Sequence, residues 1–394
     1  MPWTVSTLMS EKIAFAQACQ RRDESIAEIC DRFGISQKTG YKLWSRFRKE
    51  GIAGLEEQSR ARITHPYRIS AEVAERIISL RRKYPHYGAQ IIHDLLVRIE
   101  PHRHWPAASS IGELLKREGL IKSRKKRHSL SFSSLKTGRA RAYEPNLVWT
   151  ADFKGEFRLG PRGSYCYPLT VMDLQTRYLL SCKALESTAV PSAEKIFIRL
   201  FKEHGLPRVI RTDNGVPFCQ PNALGRLGRL GFSWVRLGIR PEHNTPAKPS
   251  ENGPHERFHK TLKEAAITPP SSSMKDQQRR FEIFRDEYNN NRPHRSLPER
   301  KPPGEFYTSS PRPFPNRLPA IEYPSWYEVR LVSSAGTFKW KDRPFHLSSN
   351  LAGQYVGLCE SESGIIVSYC DLELGLIEPA PIRFVPRLRW AGSF

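Results

Sequence analysis

A chain of 394 residues exceeds one ordinary domain and has room for about two to four. Lys and Arg number 63 against 40 acidic residues, a formal charge of +23 that favours a polyanionic partner, nucleic acid before anionic membrane. A membrane protein is excluded, since no run approaches the roughly 18 apolar residues of a spanning helix, and the opening MPWTVSTLMSEKIAF lacks the charged and apolar regions of a signal peptide.

The seven cysteines are scattered with no CxxC pair, which reads as reduced thiols in a cytoplasmic protein. The close histidine pair HRH at 102–104 has no cysteines near it to complete a zinc site and reads as a loop. No phosphate-cradling P-loop occurs, so no nucleotide cofactor is expected.

Residues 1–60 read as a helix-turn-helix domain. Ile26, Ile29, Cys30 and Phe33 form one apolar face, Gly34 makes the turn, and Ser36 caps the second helix. That helix exposes Gln37, Lys38, Thr39, Lys42 and Arg46 for a DNA groove and turns Leu43 and Phe47 inward. Gly40 breaks the pattern, because a branched apolar residue is usual there. Against this stands an ordinary αα-hairpin, which the charge disfavours.

Residues 66–122 read as a second helix-turn-helix or winged-helix domain, with helices broken at YPHYG and a third helix capped by Ser109 or Ser110. A structural spacer is the competing reading. Residues 123–145 carry seven basic residues against one acidic and form a basic linker, with Arg124, Lys125, Lys126 and Arg127 as phosphate contacts.

After Pro145 three β-rich runs form an antiparallel meander, then a helix crosses to the strand PRVIRTD, so residues 146–312 make a mixed α/β layer. Residues 322–394 carry about five short strands and read as a small SH3-like β-barrel. The fold class is multidomain α, α/β and β.

Three acids stand where chemistry could use them. Asp152 lies on a strand whose alternate residues Leu147, Trp149, Ala151 and Phe153 face the other way. Asp213 ends the next strand, before Asn214-Gly215. Glu256 opens a helix whose buried stripe is Phe258, Leu262 and Ala265, and it shares a face with Lys260 and Lys263, which suit DNA phosphates. Hard carboxylates suit Mg²⁺, with Mn²⁺ as a substitute. Two ions per site could activate the attacking oxygen and stabilise the leaving one, Asp152 bridging them and Asp213 and Glu256 each holding one.

The strings WTADFKG, RTDNGVPF and ENGPHERFHKTLK, followed by YNNNRPHRSLPERKPPGEFY, resemble the catalytic core of retroviral-type integrases and bacterial insertion-sequence transposases with three catalytic acids. The resemblance covers residues 146–308. It implies an RNase H-like fold, a divalent metal, 3′-end cleavage and strand transfer, with Asp152, Asp213 and Glu256 at the acid positions. The interval from Asp213 to Glu256 is longer than the family's usual one, the excess lying in PNALGRLGRLGFSWV. Glu251 sits nearer the usual interval but precedes Asn252-Gly253, so the NGxxER pattern favours Glu256.

The expected function is a transposase that binds terminal inverted repeats, cuts the ends and joins them to target DNA. Its partner is double-stranded DNA, its assembly a dimer or tetramer that pairs two ends, and its place the cytoplasm, at the nucleoid. A DNA-binding regulator with vestigial acids and an RNase H-type nuclease are the alternatives. Metal-dependent strand transfer separates the first, and two N-terminal DNA-reading units disfavour the second.

Overall fold

The computed structural model describes residues 7–57, 69–121, 140–244 and 253–391. The chain divides into two compact units, Met1–Arg68 and Ile69–Phe394. No helix among the described residues is long and apolar enough to cross a membrane.

In the first unit, α1 (Leu8–Arg21), α2 (Ile26–Arg32) and α3 (Gln37–Glu50) close around Phe15, Cys19, Ile29 and Cys30. Ser25 and Glu28 form a reciprocal capping box at the start of α2, Gly34 takes a positive φ of 65° in the turn, and Ser36 accepts from the Thr39 amide at the start of α3. The odd Gly40 now has its reason. It is buried where a Cβ would lie 2.1 Å from Cys30 Sγ, so the close approach of α3 to α2 and α1 leaves no room for the branched residue. Gln37, Lys38, Thr39 and Lys42 are exposed. Arg46, expected to be exposed, is only half-exposed, because the 3₁₀ turn Gly51–Leu55 folds back over it; a Cβ on Gly54 would lie 2.5 Å from the Arg46 carbonyl.

The second unit opens with α4 (Ala71–Lys83), α5 (Ala89–Ile99) and α6 (Ala108–Arg117), whose apolar stripes meet in a core of Ile77, Tyr87, Ile92, Leu96 and Ile111. Ser109 and Ser110 do not cap α6. Ala107 holds that position without a side-chain bond, and both serines already lie in the first turn. His102 falls in a turn and His104 in the loop that follows it.

The central sheet is mixed. β1 (Val148–Phe153) pairs antiparallel with β3 (Tyr165–Asp173), which pairs with β4 (Leu179–Leu185), while the short β2 (Phe157–Arg158) pairs with the first two residues of β3. On the other side β5 (Val209–Thr212) and β6 (Arg240–His243) run parallel to β1. Helices cover both faces. α7 (Val190–His204) and α8 (Arg229–Arg236) bury Phe197, Phe201, Leu230 and Trp234 against Trp149, Ala151, Val171 and Ile210. α9 (Gly253–Leu262) and α10 (Met274–Asp286) bury Phe258, Leu262, Phe281 and Phe284 against Met172, Leu179 and Cys182.

The stretch that lengthens the interval between Asp213 and Glu256 has a packing role. Leu230 and Trp234 enter the central core, whereas Leu224, Leu227, Phe232 and Val235 enter a second core shared with the C-terminal strands. Those strands differ from the expected barrel. β7 (Glu328–Leu331), β10 (Tyr355–Ser361), β11 (Gly364–Tyr369), β12 (Leu372–Pro379) and β13 (Ile382–Trp390) form a five-stranded antiparallel sheet with β7 and β13 at its edges. β8 (Thr337–Trp340) and β9 (Arg343–His346) pair only with each other. Closure is not made among the described residues. Instead Leu388 of β13 packs onto Gly225, where a Cβ would lie 2.2 Å from its Cδ2.

Candidate active site

The register of the parallel strands sets the site. Ala151 of β1 pairs with Thr212 of β5, so Asp152 and Asp213 follow as neighbours at the carboxyl ends of adjacent parallel strands. That edge is the usual binding crevice of an α/β sheet. Period-two alternation sends Trp149 and Ala151 into the aromatic core and leaves Thr150 and Asp152 facing α9.

Asp213 has one carboxylate oxygen, Oδ1, buried without a hydrogen-bond donor. Burial raises its pKa above the usual carboxylate range, with the Gly215 amide pulling the other way. A hard cation would satisfy such an oxygen, so the site fits a divalent ion. Beside it His243 is held by Thr212, Oγ1 to Nδ1 3.1 Å, and burial lowers its pKa.

The three acids do not gather into one cluster. Among the described residues, the ligand-type side chains that come within 4.8 Å of one another as a trio are Asp152, His255 and His259. Glu256 lies between the two histidines in the chain and is exposed, as are Lys260 and Lys263. Glu251 and Arg124, Lys125, Lys126 and Arg127 lie outside the described residues. The buried stripe of α9 runs Phe258, Leu262, then Ala266, with Ala265 only half-buried, because a π-helical turn over Lys263–Ile267 shifts the register by one.

Sequence reasoning passed over His255 and His259, which are 1% and 8% exposed. The Thr170 hydroxyl joins them, 2.8 Å from His255 Nε2, 2.9 Å from His259 Nε2 and 3.0 Å from the Asp152 carbonyl. His255 Nδ1 meets the Thr150 hydroxyl at 3.1 Å. Burial pushes the His255 imidazole down to about 3 and that of His259 to about 2, with the neighbouring His255 and Lys154 adding to the second shift. Both rings are neutral at pH 7. The i, i+4 spacing of two histidines around Phe258, opposite threonines on two paired strands, was the signal available.

Asp173 is structural. It is fully buried and accepts from the Asn146 and Thr176 amides at 2.8 and 2.7 Å and from the Thr176 hydroxyl at 2.6 Å.

Comparison with known proteins agrees with this architecture. Models of an integrase core domain match residues 142–269 and 237–303, a helix-turn-helix domain matches 11–63, and a homeodomain-like domain matches 39–115. The uncharacterized 39.2 kDa protein of insertion element IS476 from Xanthomonas euvesicatoria is 23% identical over 73% of this chain and 77% of its own length. The Pol polyprotein of feline endogenous virus ECE1 is 29% identical over 32% of this chain, which spans only 11% of that polyprotein. The HTLV-2 integrase catalytic core domain, solved in complex with magnesium, aligns with 43% of this chain and all of its own at 14% identity and a TM-score of 0.33. The chain thus carries helix-turn-helix and homeodomain-like segments ahead of an integrase core domain, and it is similar over most of its length to an insertion-element protein.

Proposed function

We propose that this chain is a transposase that binds the terminal inverted repeats of its insertion sequence, cleaves the DNA ends and joins each 3′-OH to target DNA. Asp152, Asp213 and Glu256 are the metal-holding acids of this reading. The observation that carries it is the strand register, which puts Asp152 and Asp213 side by side at the carboxyl edge of the sheet, with a donorless oxygen on Asp213. The helix carrying Glu256 docks against β1 through Thr150 and against the neighbouring β3 through Thr170. Two divalent cations, Mg²⁺ or Mn²⁺, would supply the positive charge that activates the attacking oxygen and stabilises the leaving oxygen in an in-line displacement.

The chain's own residues do the rest. Lys260 on the outer side of α9 and Lys263 at the start of the π-helical turn that follows it neutralise phosphates of the DNA held along them. Gln37, Lys38, Thr39, Lys42 and the half-exposed Arg46 read bases or contact the backbone from α3. Residues 1–60 and 66–122 act as the end-reading domains, 123–145 as a basic strap, 146–312 as an RNase H-like core and 322–394 as a β module. Pairing two ends calls for a dimer or tetramer, working at the nucleoid in the cytoplasm.

The test is a set of near-isosteric changes in the full chain: Asp152→Asn, Asp213→Asn and Glu256→Gln. Each should abolish Mg²⁺-dependent cleavage and joining while repeat binding and melting temperature hold, and Glu251→Gln should stay active. Full activity in the three acid variants overturns the mechanism. An active Glu256→Gln beside an inactive Glu251→Gln moves the third acid to residue 251.

A further inference from the structure

We propose that His259 is an additional ligand of the cation held by Asp152, a nitrogen donor acting through its Nδ1 lone pair. The inference rests on the reading of Asp152 as a metal ligand. It follows from counting hydrogens.

The Thr170 hydroxyl has one proton and two lone pairs, and three partners surround it. The carbonyl of Asp152, 3.0 Å away, can only accept, so the hydroxyl proton goes there. Both imidazoles must then donate, His255 Nε2–H at 2.8 Å and His259 Nε2–H at 2.9 Å. Any other assignment sets two acceptors against each other at hydrogen-bond distance inside the protein, an arrangement that burial makes costly.

A neutral imidazole that donates from Nε2 carries a lone pair on Nδ1. In His255 that lone pair takes the hydroxyl proton of Thr150 at 3.1 Å, a better bond than the 3.3 Å contact of the same hydroxyl with the Met172 carbonyl. His255 is therefore saturated and serves to position α9. In His259 the Nδ1 atom, which carries the lone pair, lies 4.0 Å from Asp152 Oδ2. Two electron-pair donors thus stand side by side, too far apart for a hydrogen bond. Two atoms this far apart could both reach a single ion at about 2.0–2.2 Å. The apparent trio of Asp152, His255 and His259 so reduces to one oxygen and one nitrogen donor.

A nitrogen donor has a consequence for the choice of ion. Imidazole suits the later transition ions, whereas an all-oxygen set suits Mg²⁺. The site should hold Mn²⁺ more tightly than Mg²⁺, by more than an all-carboxylate site would.

The experiment uses Mn²⁺ bound to the full-length protein, read by pulsed electron paramagnetic resonance and by titration. Wild-type protein should show an imidazole ¹⁴N coupling that becomes a ¹⁵N coupling when histidine is ¹⁵N-labelled. His259→Gln should lose that coupling and weaken Mn²⁺ by about tenfold or more, with a smaller effect on Mg²⁺. Asp152→Asn should weaken both ions. Mn²⁺ bound to wild type without nitrogen coupling overturns the proposal, as does coupling retained in His259→Gln. If Asp152→Asn leaves both affinities unchanged, the reading of Asp152 as a ligand fails and this inference fails with it. If Asp152→Asn loses the ions while His259→Gln keeps coupling and affinity, only the inference falls. Should His259→Gln not fold, His243→Gln removes the half-buried histidine beside Asp213: coupling that survives supports the α9 donor His259, and coupling that disappears assigns the nitrogen to His243 and overturns the proposal.

Discussion

The two faces of the central sheet are packed by different means. Under α7 and α8 the packing is aromatic and dry: Trp149, Phe197, Phe201, Phe218 and Trp234 meet with ring centroids 4.9–6.4 Å apart. Under α9 the apolar cluster of Phe258, Leu262 and Phe284 is bordered by a polar seam in which hydrogen bonds link Thr150, Thr170, His255 and His259. The lesson is a division of labour. The dry face fixes the sheet that carries Asp152 and Asp213, and the seam fixes the helix that carries Glu256. A buried polar seam is tolerable only when its donors and acceptors match, and its reward is orientation more than stability.

The largest effect is expected on the dry face. Trp149 is fully buried between β1 and α7 and donates its indole N–H to Asn146 Oδ1 at 3.0 Å. Trp149→Ala should lower stability by about 3–5 kcal/mol in chemical denaturation. A loss below about 1 kcal/mol would mean that this face is not the mechanical base of the site.

Next comes pH, on the polar side. Burial, with Arg177, Arg292 and Arg257 adding to it, pushes His294 down to about 4. The unfolded chain takes a proton near pH 6.5, and the fold refuses it until about pH 4. Stability from this group is therefore whole above pH 6.5 and falls as pH drops through that window, by up to about 3 kcal/mol. His294→Asn should flatten that part of the stability–pH curve. Parallel curves for the variant and wild type would refute the assignment.

Much of this comparison was legible in the sequence. Strict alternation around Asp152 identified the dry face, and the Asp213-Asn-Gly turn located the second acid, because both depend on local periodicity and turn chemistry. The seam was not legible. In SENGPHERFHKTLK the histidines look like two more polar residues of a charged helix, and their burial depends on threonines 89 and 105 positions earlier in the chain. The π-helical turn that moves the stripe from Ala265 to Ala266, and the open edges of the C-terminal sheet, are likewise set by long-range packing, which no window of sequence contains.

The seam itself is tested by Thr170. Thr170→Val keeps the shape and removes the hydroxyl, leaving two imidazole N–H groups and the Asp152 carbonyl without their partner. The expected loss is about 2 kcal/mol, and Thr170→Ser should recover most of it. Equal losses for Val and Ser would show that the methyl group, and not the hydrogen bonds, holds α9.

The smallest stability effect should come from the outer side of the same helix. Lys260 and Lys263 are exposed and have no role in either core, so Lys260→Ala and Lys263→Ala should each change stability by no more than about 0.5 kcal/mol. Their effect belongs to binding. Each lysine that neutralises a phosphate contributes about 0.9 to the log–log salt slope on duplex DNA, so the double variant should flatten that slope by up to about 1.8. Melting temperature and salt-dependent binding measured on one preparation keep the two quantities apart. An unchanged slope would confine α9 to presenting Glu256. A large loss of stability would show that its outer side is packed, against the exposure seen here, and the contrast between the buried seam and the open face would no longer hold.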